Sequence, residues 1–292
     1  MHMNLNIIVL AKQVPDTRNV GSQAMNADGT VNRSALPAVF NPDDLCALEQ
    51  ALRIKETNPG SRVTVLTMGP KRAADLLREA LYRGADDVVL LSDMAFAGAD
   101  TLATSYALST AIRKLGTPDI VLCGRQAIDG DTAQVGPQVA QMLSLPQVTC
   151  VRRVVGFEEG FMLVERSVEN GSELVKAPLP LLLTVEGSAA SCRPRNAYRM
   201  LRFHRAATAA EQAAEGYLYQ AQAALDEALT IKEWSLADIE GDASRCGLSG
   251  SPTRVKAVNN IVFKAKESKR YSAESEDVKS LVAELLSNHT IG

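Results

Sequence analysis

Short runs of Val, Ile and Leu alternate with stretches of helical period through the first half of the chain. The runs fall at residues 5–10, 63–68, 88–91 and 120–123, with a further candidate at 148–150. Short apolar runs bounded by turn signals mark strands that are buried on both faces. Between them, residues 44–56 place Leu45, Leu48 and Leu52 on one face, and residues 71–83 place Leu76, Leu77, Ala80 and Leu81. Residues 101–115 do the same with Leu102, Tyr106 and Ile112. Each stripe predicts a helix laid on a sheet. Gly69 with Pro70, Gly84, and Gly116 with Pro118 punctuate these elements as helix stops and turns. The alternation predicts an α/β fold, a parallel sheet with flanking helices.

Past residue 150 the period changes. Residues 151–157 and 161–168 flank Glu158-Glu-Gly160 like a β-hairpin, and Pro178 and Pro180 lead into a short strand at 181–185, which together predict an added β element. From Ser188 the chain is polar and irregular, with Arg193, Arg195, Arg199, Arg202 and Arg205. An alanine-rich helix is expected at 207–228, with too few large apolar residues for a core helix. A last amphipathic helix, 275–286, carries Val278, Leu281, Val282 and Leu285 on one stripe. The expected organisation is an α/β domain over residues 1–190 and, over 191–292, a C-terminal arm that gains stability by lying on a partner.

Composition narrows the chemistry. The 292 residues carry a formal charge of −3, with 46% hydrophobic, 22% charged and 4% aromatic residues. A nucleic-acid surface needs a basic stripe and stacking rings, and neither is present. The histidines (His2, His204, His289) are scattered, and the cysteines (Cys46, Cys123, Cys150, Cys192, Cys246) never approach a Cys-x-x-Cys spacing. This argues against a local zinc site, a redox dithiol and histidine-based nucleophilic catalysis. No apolar run reaches the roughly 18–20 residues of a membrane span, and residues 1–9 lack a signal peptide's charged start and cleavage site. The expectation is a cytoplasmic protein with reduced cysteines.

In an open parallel sheet the ligand belongs at the carboxyl ends of the strands. After the first strand comes Ala11-Lys-Gln-Val-Pro-Asp-Thr17 and a long loop to Asn41; after the second comes Met68-Gly-Pro70. Asn41-Pro42-Asp43-Asp44 reads as a helix start, with Asn41 as cap, Pro42 at the first position and two carboxylates at the positive dipole end. The same amides and Asn41 could also grip a ribose or base edge, and both readings stand. After the fourth strand comes Gly124-Arg-Gln-Ala-Ile-Asp-Gly-Asp-Thr-Ala-Gln-Val-Gly136. Its glycines allow close backbone approach, and Asp129, Asp131, Thr132 and Gln134 place polar groups ahead of a helix whose free amides suit a phosphate. The aspartates would repel a phosphate, which assigns them to ribose hydroxyls, a base edge or the loop's own fold. A metal-binding Asp-x-Asp has no third acidic ligand nearby, and plain turn chemistry is the remaining alternative. Neither a Gly-x-Gly-x-x-Gly dinucleotide fingerprint nor a P-loop is present.

Taken together, Leu10-Ala-Lys-Gln-Val-Pro-Asp-Thr17, Asn41-Pro-Asp-Asp44 with Ala47-Leu-Glu49, Leu81-Tyr-Arg-Gly-Ala-Asp86 and the 124–137 loop resemble the β subunit of electron transfer flavoproteins, the family that includes the FixA proteins. Val164-Glu-Arg166, Leu179-Pro-Leu-Leu-Leu-Thr-Val185 and Arg193-Pro-Arg195 look like that family's middle region. The resemblance implies a Rossmann-like, adenine nucleotide α-hydrolase-like fold and a heterodimer with an α subunit that carries the electron-transferring FAD. Carried over by position, the β-subunit site comprises Leu10, Asn41, Pro42, Asp43, Asp44, Met68, Asp129, Gly130, Asp131, Thr132, Ala133, Gln134, Val135, Gly136, Pro137, Gln138, Val139 and Ala140. Ala11, Lys12, Asp16 and Thr17 after the first strand, and Gly124, Arg125 and Gln126 after the fourth, complete the candidate set.

In one branch of the family that site holds AMP as a structural ligand; in the electron-bifurcating branch it holds a second FAD that accepts hydride from NADH. Gln13-Val-Pro-Asp-Thr17, the Asp129-Gly-Asp-Thr132 form of the loop and Arg245-Cys-Gly-Leu-Ser-Gly-Ser-Pro-Thr-Arg-Val255 resemble the bifurcating branch. The implied partners are an acyl-CoA-type or other flavin dehydrogenase and a low-potential acceptor, ferredoxin or flavodoxin. Arg125 is expected beside the redox ring, the alternative being a salt bridge to Asp129 or another acid. Relatives present a leucine to the dehydrogenase where this chain has Arg199, so Met200 or Leu201 would have to substitute. A nucleotide-binding sensor module of the same fold family would explain the sheet and leave the arm without a role.

Overall fold

The computed structural model describes residues 3–16, 36–214, 229–254, 268–288 and 290–291. Its strands are β1 (Asn6–Leu10), β2 (Gln13–Pro15), β3 (Ala38–Phe40), β4 (Arg62–Met68), β5 (Asp87–Leu91), β6 (Ile120–Gly124), β7 (Gln147–Glu158), β8 (Phe161–Val168), β9 (Gly171–Pro178), β10 (Leu181–Val185) and β11 (Lys232–Trp234). The helices are α1 (Pro42–Thr57), α2 (Ala74–Arg83), α3 (Thr101–Leu115), α4 (Val135–Leu143), α5 (Ala197–Phe203), α6 (Ala209–Gln212) and α7 (Ser275–Ser287).

Among the described residues nine strands form one sheet in the order β11-β5-β4-β1-β6-β10-β7-β8-β9. Neighbours from β11 through β7 are parallel, and β7, β8 and β9 run antiparallel. Side chains alternate between the two faces of a strand. Ile7, Val9, Val63, Val65, Ile120 and Leu122 accordingly pack with Leu48, Leu52, Leu77 and Leu81 of α1 and α2. Ile8, Leu10, Leu66 and Val121 pack with Leu108 and Ile112 of α3 and Val139 of α4. The chain winds outward from β1 through β4 to β5, then crosses to β6 on the other side of β1. This reversal places a topological switch point at the carboxyl ends of β1 and β6.

Three parts of the architecture differ from the sequence expectation. The strand at 181–185 is no added element: β10 is fully buried and lies between β6 and β7, parallel to both. The candidate strand at 148–150 and the first hairpin arm are a single strand, β7, and β9 continues the meander beyond the expected hairpin. The stretch after 191 also contributes to the sheet, because β11 pairs with β5 and Leu229, Ile231, Ile239 and Cys246 are buried. Of the expected helix at 207–228, residues 207–214 are described: α6 spans only Ala209–Gln212, and Ala207 instead forms a β-bridge with Thr230. Among the described residues no helix is long and apolar enough to cross a membrane, and no cluster of His, Cys, Asp or Glu is placed to hold a metal ion.

Candidate functional site

Five loops meet at the switch point. The backbone leaving β1 passes through Leu10, Ala11 and Lys12 into β2, which pairs antiparallel with β3 and so clips the chain at Pro15 to the chain at Ala38. Asp16 closes that clip through its amide to the carbonyl of Pro37, 2.8 Å. Thr17 lies outside the described residues. Met68, half-buried, ends β4, and Gly69 donates to Leu91 of β5.

The start of α1 is the hub. Asn41 precedes Pro42 at the first helical position but does not cap with its side chain, which corrects one of the two sequence readings. Its carboxamide instead crosses to the β6 loop: Nδ2 donates to the carbonyl of Gln126 (2.8 Å), and Oδ1 accepts the amide of Ile128 (3.2 Å). Asn41 is fully buried, so both of its polar ends are spent on the protein. The carboxylate of Asp44 receives the amide of Lys12 on one oxygen and that of Gly124 on the other, each at 2.8 Å. Burial pushes the Asp44 carboxyl up to about 7, against the lowering effect of the two amides and Asn41. Burial also raises Asp43, while the amide of Gln126 and the charge of Arg125 act in the other direction. Only glycine fits at 124, since a Cβ would come 2.6 Å from Cβ of Asp43 and from Oδ1 of Asp44.

Beyond Gly124 the loop turns on itself. Gly130 and Asp131 donate to the carbonyl of Ala127, Asp131 accepts Gln126 Nε2 at 2.9 Å, and Asp131 and Ala133 adopt positive φ of 50° and 53°. Such strain in non-glycine residues favours functional loops. Asp129 pairs with Lys12 at 2.7 Å, joining the β1 and β6 loops across the crevice mouth. The alternative partnership of Arg125 with Asp129 is therefore not made. Arg125 is exposed, donates its own amide to Val185, and among the described residues enters no ion pair, acting on Asp43 through space.

The amides of residues 132–136 make no backbone hydrogen bond among the described residues, and Gln134 ends the loop without capping α4 by its side chain. Open amides at a helix start are an anion-binding arrangement. Thr132 is exposed beside them. Gln134 accepts from Thr101 (3.0 Å), and Gln138 accepts from Ser105 (3.0 Å), which ties the loop to α3. Val135 and Pro137 are half-buried, whereas Gly136, Val139 and Ala140 are buried on the sheet. The side chains of Val139 and Ala140 thus support the site from below. Sequence reasoning missed the fifth loop, 185–187 after β10, where Val185 receives the Arg125 amide and Gly187 sits against Asp43. The signal was the same rule used for the other strands, and it failed only because β10 was read as peripheral.

On the far side of α2, Arg199 turns inward: Nε donates to the carbonyl of Leu81 at 2.6 Å and Nη2 to that of Ala85. Tyr198 and Leu201 face out, 74% and 70% exposed.

Residues 28–215 match the electron transfer flavoprotein domain family. The chain is 43% identical over 290 residues to "Electron transfer flavoprotein subunit beta" of Thermoanaerobacterium thermosaccharolyticum, covering 98% of this chain and 100% of that one. It is 43% identical over 251 residues to "Caffeyl-CoA reductase-Etf complex subunit CarD" of Acetobacterium woodii, 86% of each chain. A "Protein FixA" of Sinorhizobium fredii is 43% identical over 268 residues, 87% of this chain and 82% of that one.

Proposed function

This chain belongs to the electron transfer flavoprotein β-subunit family, and from that membership we propose that it is the β subunit of a heterodimer and holds FAD in the crevice between β1 and β6. The observation that carries this reading is the pairing, within one loop at the switch point, of amides at residues 132–136 that make no backbone hydrogen bond among the described residues with an exposed Arg125 side chain that enters no ion pair among them. The amides suit a pyrophosphate, and the short acids Asp129 and Asp131 suit ribose hydroxyls better than a bare phosphate. Asn41 and Asp44 hold the walls of the crevice in place.

When bound, FAD supplies the redox chemistry here: acceptance of a hydride from NADH and one-electron delivery to the α-subunit FAD and to a low-potential acceptor such as ferredoxin or flavodoxin. The protein's contribution is position and field. Arg125 places positive charge where negative charge develops, and the Lys12–Asp129 pair closes the mouth of the crevice. The reading extends to an acyl-CoA-type dehydrogenase as the electron partner, supported by the caffeyl-CoA reductase complex in the name of the Acetobacterium relative. Tyr198 and Leu201 on α5 are the surface that would meet it.

The test is nucleotide content. The chain is co-expressed with its α subunit, the complex is denatured in acid, and FAD and AMP are counted per heterodimer. Two FAD and no AMP is the expected result. One FAD with one AMP would replace this reading with that of a simple electron carrier whose β site is structural.

A further inference from the structure

We propose that Asp44 is the positioning residue of the nucleotide crevice, clasping the β1 and β6 loops to each other so that neutralising its carboxylate loosens the site. The pairing of β1 with β6 ends at Val9 and Leu122. Past that point the strands separate toward the switch point, and the inward amides of Lys12 and Gly124 lose any strand partner. The Asp44 carboxylate takes both, one on each oxygen. A residue at the third position of a helix ordinarily serves its own helix start; this one serves two loops 112 residues apart in the chain.

The surroundings make the charge on this clasp variable. Asp44 is 6% exposed and no cation pairs with it among the described residues. Asp43 and the Cys46 thiol face it from α1, and the Cys123 thiol faces it from β6. The Lys12 ammonium is engaged by Asp129, and Arg125 and Glu186 act on Asp43. Only amide dipoles and Asn41 favour the ionised form, and burial outweighs them, pushing the carboxyl up to about 7. A proton on either oxygen turns that acceptor into an O–H facing an N–H donor and weakens that bond. The clasp therefore tightens as pH rises through about 7. Global stability moves the other way: a carboxyl raised in the folded state favours folding at low pH, and that contribution declines as pH rises from about 4 toward about 7.

The effect on nucleotide rests on the function proposed above, so the experiment separates the two. Hydrogen exchange at the Lys12 and Gly124 amides is measured in the intact heterodimer, corrected for intrinsic rates, for the wild type and Asp44→Asn, alongside the rate of nucleotide release on dilution. Asp44→Asn has one acceptor oxygen in place of two, so at least one amide should exchange about tenfold faster, the scale of a lost charge-assisted bond. Wild-type protection at these amides should fall about tenfold between pH 8 and pH 6, and Asp44→Asn should show no such pH dependence. Nucleotide release should quicken by a similar factor. The wild-type pH series stands even if the variant fails to fold. Equal protection at pH 8 and pH 6, or release unchanged in Asp44→Asn, overturns the proposal. Protection that changes as expected in a complex with no nucleotide in this crevice supports the clasp and overturns the ligand assignment.

Discussion

The carboxamide of Asn41 bonds the carbonyl of Gln126 at 2.8 Å and so acts as a strut between α1 and the β6 loop, 85 residues away. With the Ile128 amide on its other end, the side chain substitutes for a peptide unit that neither segment supplies. Asn41→Ala leaves a half-buried carbonyl and a half-buried amide without their partner, at up to about 1–3 kcal/mol each. Asn41→Asp retains the acceptor but turns a second oxygen onto the Gln126 carbonyl. Both variants should lower the midpoint of urea unfolding and release nucleotide faster. Unchanged midpoints would show that water replaces the strut.

Arg125 has an exposed side chain, so its removal should leave the fold intact, within about 0.5 kcal/mol. Arg125→Gln is expected to slow reduction of the complex by NADH about tenfold or more in stopped-flow absorbance while nucleotide content stays at wild-type level. Arg125→Lys, which preserves charge without the guanidinium fork, should recover part of the rate. Equal rates in all three proteins would remove Arg125 from the redox site.

Two neighbours on α5 should separate cleanly. Leu201 is exposed, and Leu201→Ala should not shift the melting temperature but should raise the KM for the acyl-CoA-type dehydrogenase several-fold. Arg199 ties α5 to the carbonyls at the end of α2. Arg199→Ala should cost about 1–3 kcal/mol and raise the same KM indirectly. A loss of stability in Leu201→Ala would mean that this side chain packs on its own subunit.

The elements legible in the sequence are those in which local signals agree. Helix α3 spans the expected residues because Asp100 caps it with two 3.0 Å bonds and Gly116 ends it. The loops after the first, second and fourth strands meet as the strand-end rule requires. What escaped was long-range. The three residues of β11 are polar at two positions and are made a strand by β5, not by their own pattern. The prolines before β10 mark it in the sequence as part of an added element, yet they precede the strand and leave its ladder intact. The sequence placed Asn41 at a helix start, and nothing local could show that its carboxamide bypasses the cap for a loop brought near by the sheet.

Glu49 predicts an acid-sensitive joint. It is 4% exposed and holds Arg193 at 2.9 Å and Arg53 at 2.8 Å, so it anchors the chain after β10 to α1. Burial alone would raise this carboxyl, but hydrogen bonds from Arg193 and Arg53 outweigh burial and hold it below the usual glutamate range. A carboxyl lowered in the folded state stabilises above its unfolded value, near 4.3, and that contribution disappears as pH falls through the folded value. Glu49→Gln should cost about 1.5–3 kcal/mol at neutral pH and flatten the decline of the melting temperature below about pH 4.5. An undiminished decline would place the acid sensitivity elsewhere.

Gly136 presents a contest of two effects with opposite sign. It lies in the first turn of α4, where alanine is favoured over glycine by about 1 kcal/mol. A Cβ there would come 2.8 Å from the Cys123 sulfur and 2.8 Å from Cγ2 of Thr184. Neither atom lies at the end of a flexible chain, and overpacking of this kind costs about 1–3 kcal/mol. Gly136→Ala should therefore destabilise, and because α4 carries the open amides at its start, it should also weaken nucleotide retention. The clash can be removed without touching the helix. Cys123→Ala deletes the sulfur, and Thr184→Ser deletes the methyl while keeping the hydroxyl that accepts the Cys150 amide at 3.2 Å. On that double background the steric cost vanishes and the helical preference remains, so adding Gly136→Ala should raise the urea midpoint. The same substitution would then change sign with its surroundings. A cost that persists on the trimmed background would place the requirement for glycine in the backbone or the ligand, with α4 needing that amide bare where it meets the crevice.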